Sequence, residues 1–221
     1  VQKWLTRSGV VGQERIVAVR TRQKVSMRLK EDGPWMPARV QQYFRVDEPG
    51  FIWQVKASMA PGLFFAGRDK YVGGRGHMLI KVLSLIKVAD ARGKEIDQGT
   101  MLRYLAETMW FPAAALSSYI KWEEVDAHSA RATMTYGGIT ACGVFTFNRE
   151  GDVISFVAQR YGEFGGRYLL KTWMVHAGQQ REFAGIRVPS AGEVLWKLES
   201  GDFPWYRFAV EDIEYNKPVA Y

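Results

Sequence analysis

The sequence is short of the residues that staple or metallate a fold. It holds one cysteine, Cys142, so it has no intramolecular disulfide and no cysteine-only zinc site. Its three histidines, His77, His128 and His176, are far apart and give no metal-ligand spacing, so neither a metal nor a cofactor is expected. No apolar run approaches the ~20 residues that span a bilayer as a helix. The longest candidate, Met78 to Ala89, is interrupted by Lys81, Ser84 and Lys87. There is no Gly-x-Ser-x-Gly nucleophile motif, and Ser117-Ser118 forms none. Gly73-Gly74-Arg75-Gly76 has the glycine content of a phosphate loop but no Lys-Ser/Thr and no following helix, and reads as a turn. No coherent catalytic set emerges.

The hydrophobic fraction of 47% and charged fraction of 24% belong to an ordinary globular chain of 221 residues. The net charge of +7 has local structure. Arg20, Arg22, Lys24 and Arg28 sit at even positions and share one face of a strand. That stripe is either a solvated outer face or a contact for an anionic membrane surface. Nucleic acid is disfavoured because no recognised binding motif accompanies the charge. The chain begins at Val1 rather than Met, so an upstream segment is expected to be missing. A membrane anchor would sit there, and a membrane-associated or cell-envelope location is the expectation.

Period-two alternation dominates and argues for strands. From Val17 to Leu29 the odd positions are mostly apolar while Arg20, Arg22, Lys24 and Arg28 occupy the even ones. Ala38, Val40, Gln42, Phe44 and Val46 form one face of a second strand, and Phe51, Trp53, Val55, Ala57 and Met59 one face of a third. Strands at Leu63 to Val72 and His77 to Val88 complete a first meander over residues 14–90. The connections are short, and parallel pairing needs crossovers of a dozen or more residues, so neighbours must be antiparallel. The pattern breaks once. Thr100 is placed to cap a helix beginning at Met101, and the insert runs over 98–117, with Pro112 ending its regular part. A second meander follows over 118–216, with turns at Gly137-Gly138 and Arg149-Glu-Gly-Asp152. A short helix over 1–8, stopped by Gly9, opens the chain. The expectation is one domain, 1–221, mainly β with a helical insert: a curved antiparallel sheet of about eleven strands, a half-barrel with the helix on its concave face. Sheets this large curl.

Several segments carry a resemblance. Val1-Gln-Lys-Trp-Leu-Thr-Arg-Ser-Gly9, Asp47-Glu-Pro-Gly-Phe-Ile-Trp53, Val88-Ala-Asp-Ala-Arg-Gly-Lys-Glu-Ile-Asp97, Leu102-Arg-Tyr-Leu-Ala-Glu107 and Met109-Trp-Phe-Pro112 resemble an uncharacterised family of prokaryotic proteins. Ser129-Ala-Arg-Ala-Thr133 and Phe203-Pro-Trp-Tyr-Arg207 resemble its later segments. The family is a domain of unknown function whose members often carry hydrophobic N-terminal segments. The element order also resembles the lipoprotein-carrier fold of bacterial envelopes, a half-barrel with helices plugging its concave side. That likeness implies a site for acyl chains or another apolar ligand.

Eight Trp, ten Tyr and twelve Phe either line such a cavity or fill a solid core. Arg103 and Glu107 are four apart on the expected helix and can pair, and Glu107 and Trp110 share a face. A carboxylate beside an indole in an apolar site would have its pKa raised by desolvation. Trp122-Glu123-Glu124 follows on a strand, where adjacent carboxylates point to opposite faces. Arg131 and Arg160 each interrupt a strand and would hold a ligand carboxylate or phosphate, or pair with a core-edge Glu. The expected lining of one pocket is Arg103, Tyr104, Glu107, Trp110, Phe111 and Trp122, with Arg131 or Arg160 at its polar edge. Cys142, between Ala141 and Gly143, is expected to be a buried small hydrophobe. Three readings stay open: a non-catalytic binding module for an apolar or lipid-like ligand near a membrane, an enzyme using Glu107 as acid or base on such a ligand, and a solid-core scaffold.

Overall fold

The computed structural model describes all 221 residues, 1–221. Helix α1 (Gln2–Ser8) ends at Gly9 and is followed by strands β1 (Ala18–Met27), β2 (Met36–Arg45), β3 (Gly50–Ala60), β4 (Leu63–Val72), β5 (Arg75–Val82) and β6 (Ile86–Ala91). Helix α2 (Lys94–Glu107) continues into two 3-10 turns, Thr108–Trp110 and Pro112–Leu116. The second run comprises β7 (Ile120–Asp126), β8 (Ser129–Tyr136), β9 (Ile139–Phe147), β10 (Val153–Phe164), β11 (Arg167–Ala177), β12 (Gln180–Phe183), β13 (Ile186–Pro189), β14 (Ala191–Leu198) and β15 (Gly201–Tyr215).

Thirteen strands form one sheet in the order β6-β5-β4-β3-β2-β1-β15-β14-β11-β10-β9-β8-β7, and β12-β13 is a separate hairpin. All pairings are antiparallel. The first strand pairs with the last, Val25 opposite Phe208, and this ladder joins the two meanders. The strand number exceeds eleven for local reasons. Leu83 and Ser84 adopt left-handed conformations that turn the expected long fifth strand back on itself as β5 and β6, and β12-β13 forms a hairpin of its own.

The alternation sets which side faces in. Val19, Thr21, Gln23, Val25 and Met27 are buried, while their even neighbours face out or lie at the boundary. The sheet curls around α2, which packs against β4 and β5 of one arm and β8, β9 and β10 of the other. Helix α2 starts at Lys94, seven residues earlier than a cap at Thr100 would have it. Its N-cap is Gly93, whose lack of a side chain leaves no capping signal, and Thr100 lies inside the helix, donating to the Ile96 carbonyl at 2.7 Å. The N-terminal half of α2 lies against β5 so closely that a Cβ on Gly76 would stand 2.6 Å from the Ile96 oxygen. Asp97 seals that contact by accepting from the Gly76 N–H at 2.6 Å and from Arg75 at 3.0 Å.

Beyond the start of α2, the β4-β5 turn meets the β8-β9 turn. A Cβ on Gly74 would be 2.8 Å from Gly137 Cα, so the two arms touch backbone to backbone. Helix α1 fills the inner face of the second arm, where Trp4 packs on Trp122, Phe145 and Phe147. Cys142 is exposed, a correction to the buried placement. Its neighbours Ala141 and Gly143 point inward, so the period-two rule turns Cys142 to the convex side.

Candidate functional site

Helix α2 covers only part of the concave face. Beside its C-terminal half lies a cavity of about 370 Å³, of a size typical for small-molecule sites. Of its 22 lining residues 16 are hydrophobic, which makes the walls apolar. Trp53, Phe65, Ile80, Trp173, Val194 and Phe208 contribute from strands of both arms and the central ladder. Leu29 and Glu163, both exposed, lie in the lining as well and mark where the space opens to solvent. A larger groove of about 740 Å³ crosses the convex face along Lys24, Arg39, Lys56 and Arg207, but it is shallow and open.

Four charged side chains line one part of the cavity: Asp69 from β4, Arg103 and Glu107 from α2, and Arg160 from β10. Arg103 spans both carboxylates, with Nε 2.8 Å from Glu107 Oε1 and Nη1 2.9 Å from Asp69 Oδ2. Its guanidinium also lies over the Phe51 and Trp53 rings, 5.0 and 4.8 Å from their centroids. Gln42 donates to the other Glu107 oxygen at 2.7 Å. Burial pushes the Asp69 and Glu107 carboxyls above their ordinary range, and Arg103 only partly pulls them back.

Arg160 is different. Its Nε donates to the Gly99 carbonyl at 3.1 Å, and it forms no ion pair. It rests between indoles, 5.1 Å from the Trp173 centroid and 5.7 Å from that of Trp196. Burial, and secondarily the like charge of Arg103, lower its pKa to about 10.

The structure therefore brings together Arg103, Glu107, Trp110 and Arg160 of the expected lining. Residues 103, 107 and 110 follow helical spacing, which carries one face of the segment into the cavity. Trp110 is wall and anchor at once, since its indole donates to the Pro189 carbonyl at 3.0 Å. Tyr104 and Phe111 fall on the next face of the same segment and are fully buried elsewhere. Tyr104 donates to the Arg45 carbonyl at 2.9 Å, and Phe111 packs 4.7 Å from the Phe44 ring. Trp122 belongs to the second arm, where its N–H meets the Ala115 carbonyl at 3.0 Å and its ring lies 5.3 Å from Phe145. Arg131 is on the convex side, because Ala130 and Ala132 take the inward positions of β8, and it pairs loosely with Glu123 at 3.8 Å.

The basic stripe on β1 is not a free positive surface. Arg20 pairs with Glu214 at 2.6 Å, Arg22 with Asp212 at 2.9 Å and Lys24 with Glu211 at 2.7 Å, all across the β1-β15 ladder. Arg28 donates to the Pro204 and Glu31 carbonyls, both at 2.6 Å, and lies over Trp35. The acidic partners come from the far end of the chain, out of reach of any local charge pattern.

Residues 1–208 match the model of a family described as a family of unknown function, DUF6544. The chain belongs to this family. No curated protein matches it. Among solved structures, this DUF6544 chain is similar to a LolA superfamily protein from Nitrosomonas europaea, at 12% identity over 96% of this chain and 92% of the other, with a TM-score of 0.52. A putative outer membrane lipoprotein-sorting protein domain from Vibrio parahaemolyticus matches at 9% identity over 99% and 92% of the two chains, with a TM-score of 0.46. The Nitrosomonas likeness shows the fold alone: a curled antiparallel half-barrel. No helix of this DUF6544 member is long and apolar enough to cross a membrane.

Asp69, Gln42 and Trp173 join the site without having been singled out in the sequence. Asp69 and Gln42 do stand out as polar residues on strands that otherwise read as apolar on their inner side, which is the one signal that points to them.

Proposed function

We propose that this chain is a non-catalytic binding module for an apolar or amphipathic, lipid-like molecule, held between the curled sheet and α2. The observation that carries this reading is the cavity itself, with apolar walls and four of its charged residues clustered in one part of its lining. An aliphatic chain there would gain roughly 25 cal/mol per Å² buried, offset by the cost of association. Charged groups at one end would orient a polar head. Both oxygens of Glu107 already accept hydrogen bonds, from Arg103 and from Gln42, which favours a structural and electrostatic role over proton transfer to a substrate. The likeness to the lipoprotein-carrier half-barrel supports the reading at the level of fold only. The setting we infer is a cell envelope or membrane surface, where such ligands reside.

Native mass spectrometry of protein purified from cells tests this. The expected result is a co-purified species of lipid-like mass that is lost on delipidation and restored by adding the extract back. Protein that emerges ligand-free and takes up no aliphatic probe would overturn the reading and leave a scaffold with an unused void.

A further inference from the structure

Of the four clustered charged residues, three are tied to one another by hydrogen bonds and the fourth is not. Arg103 has two carboxylate partners, and the second oxygen of Glu107 is occupied by Gln42. Arg160 has none: its only hydrogen bond runs from Nε to the Gly99 carbonyl, and its two terminal nitrogens meet no protein acceptor. Asp69 and Glu107 act on Arg160 only at a distance, without a hydrogen bond, so the desolvation of its guanidinium is only partly offset. The flat faces of Trp173 and Trp196 offset part of it and hold the fork in place. The two terminal nitrogens of Arg160 are the donors that this cluster leaves without a hydrogen-bonded partner.

We propose that Arg160 is the receptor for a terminal oxyanion, so that the molecule held in the cavity is a long-chain acid whose carboxylate or phosphate lies on the Arg160 fork while its chain lies along the apolar walls. This rests on the binding reading above and narrows it to a ligand class. A planar guanidinium with both terminal nitrogens free matches a carboxylate or phosphate in two parallel hydrogen bonds, whereas an ester offers no charge to pair. Neutral acylglycerols and carboxylic esters would offer Arg160 a hydrogen-bond acceptor but no charge.

The test is displacement of a neutral fluorescent probe, N-phenyl-1-naphthylamine, from the full chain by palmitate, hexadecyl phosphate and methyl palmitate. With the unaltered protein, at least one of the two acids is expected to displace the probe at a concentration about tenfold or more below that of the ester. The acid that acts at the lower concentration names the head group. Arg160→Gln is expected to weaken that acid by about tenfold or more while the ester changes little, and Arg160→Lys to keep part of the preference. Circular dichroism of both variants checks the fold. Equal displacement by acids and ester with the unaltered protein overturns the assignment without any variant and leaves the binding reading intact. So does an Arg160→Gln protein that loses acid and ester alike. If neither probe nor any aliphatic compound binds, the binding reading fails together with it.

Discussion

Arg103 Nη1 lies 2.9 Å from Asp69 Oδ2, joining α2 to β4 at the point where the helix leaves the sheet uncovered. The same guanidinium holds Glu107, so one cation compensates two enclosed carboxylates contributed by different elements. This arrangement fixes the polar part of the cavity and makes it sensitive to the loss of a single residue.

Arg103→Gln should destabilise the fold by about 3–5 kcal/mol near neutral pH, because two enclosed carboxylates lose their cation. Burial has already raised both carboxyls, and removing Arg103 raises them further. A carboxyl whose folded pKa is raised favours the folded state when protonated, and that advantage is lost as pH rises. The deficit of the variant should therefore be larger at pH 8 than at pH 5. Urea unfolding at the two pH values reads it, and an equal deficit at both would show that Arg103 acts through packing alone.

Ala106→Leu should fill space that the proposed ligand needs. Ala106 is buried and lines the cavity, and three added carbons have somewhere to go. Thermal stability should hold or rise, while the affinity for a fluorescent acyl probe should fall about tenfold or more. Unchanged probe binding with a lowered melting temperature would place the probe elsewhere and mark the site as overpacked.

Asp152 ties three elements together. It accepts from Arg187 of β13 at 2.8 and 3.2 Å, meets Arg7 of α1 at 3.5 Å, and sits in the β9-β10 turn. The hydrogen bonds from Arg187 hold its carboxyl below the usual range. A depressed carboxylate contributes stability above its unfolded pKa, and the contribution is lost as pH falls through the folded value. Asp152→Asn should cost about 1–2 kcal/mol at pH 7, because the arginines it leaves are partly solvated, with the gap to the unaltered protein closing as pH drops below ~4. Unfolding across a pH series checks the convergence.

The contact between Gly74 and Gly137 separates two kinds of glycine. Gly137 and Gly138 both have positive φ, +59° and +78°, but only Gly137 faces backbone, with Gly74 Cα 2.7 Å from where its Cβ would stand. Gly138→Ala should cost about 1–2 kcal/mol from the left-handed conformation alone. Gly137→Ala should cost clearly more, because neither turn can yield without parting the arms. Similar melting temperatures for the two variants would mean the arms separate freely there.

The inner faces of β1, β2 and β3 were legible because Val19 to Met27, Ala38 to Phe44 and Phe51 to Ala57 alternate without a break. The pairing of Arg103 with Glu107 was legible too, since helical spacing alone brings them together. What was not legible depends on contacts between distant parts of the chain. The helix start was hidden because Gly93 gives no cap and Gly99 weakens the pattern inside the helix. Tyr104 could not be told from Arg103 as a lining residue, because the direction of the helix face is set by which strand it meets. Arg160 and Asp69 come to the site from opposite arms, and only the curl of the sheet makes them neighbours. The acidic partners of Arg20, Arg22 and Lys24 lie about as far along the chain as two residues can.

The ladder between β1 and β15 has a temporal side. Synthesis releases β1 before the other strands and β15 after them, so β1, next to the middle of the finished sheet, waits with one edge unpaired until β15 is made. Until then the first meander is a sheet with an open central edge, the kind of edge that recruits other strands. Closing the ladder also requires the longest loop closure the chain can make, which belongs to the slow end of folding. Removing the last dozen residues should thus do more than fray an end: it withdraws half of the seam that holds two otherwise separate meanders as one sheet.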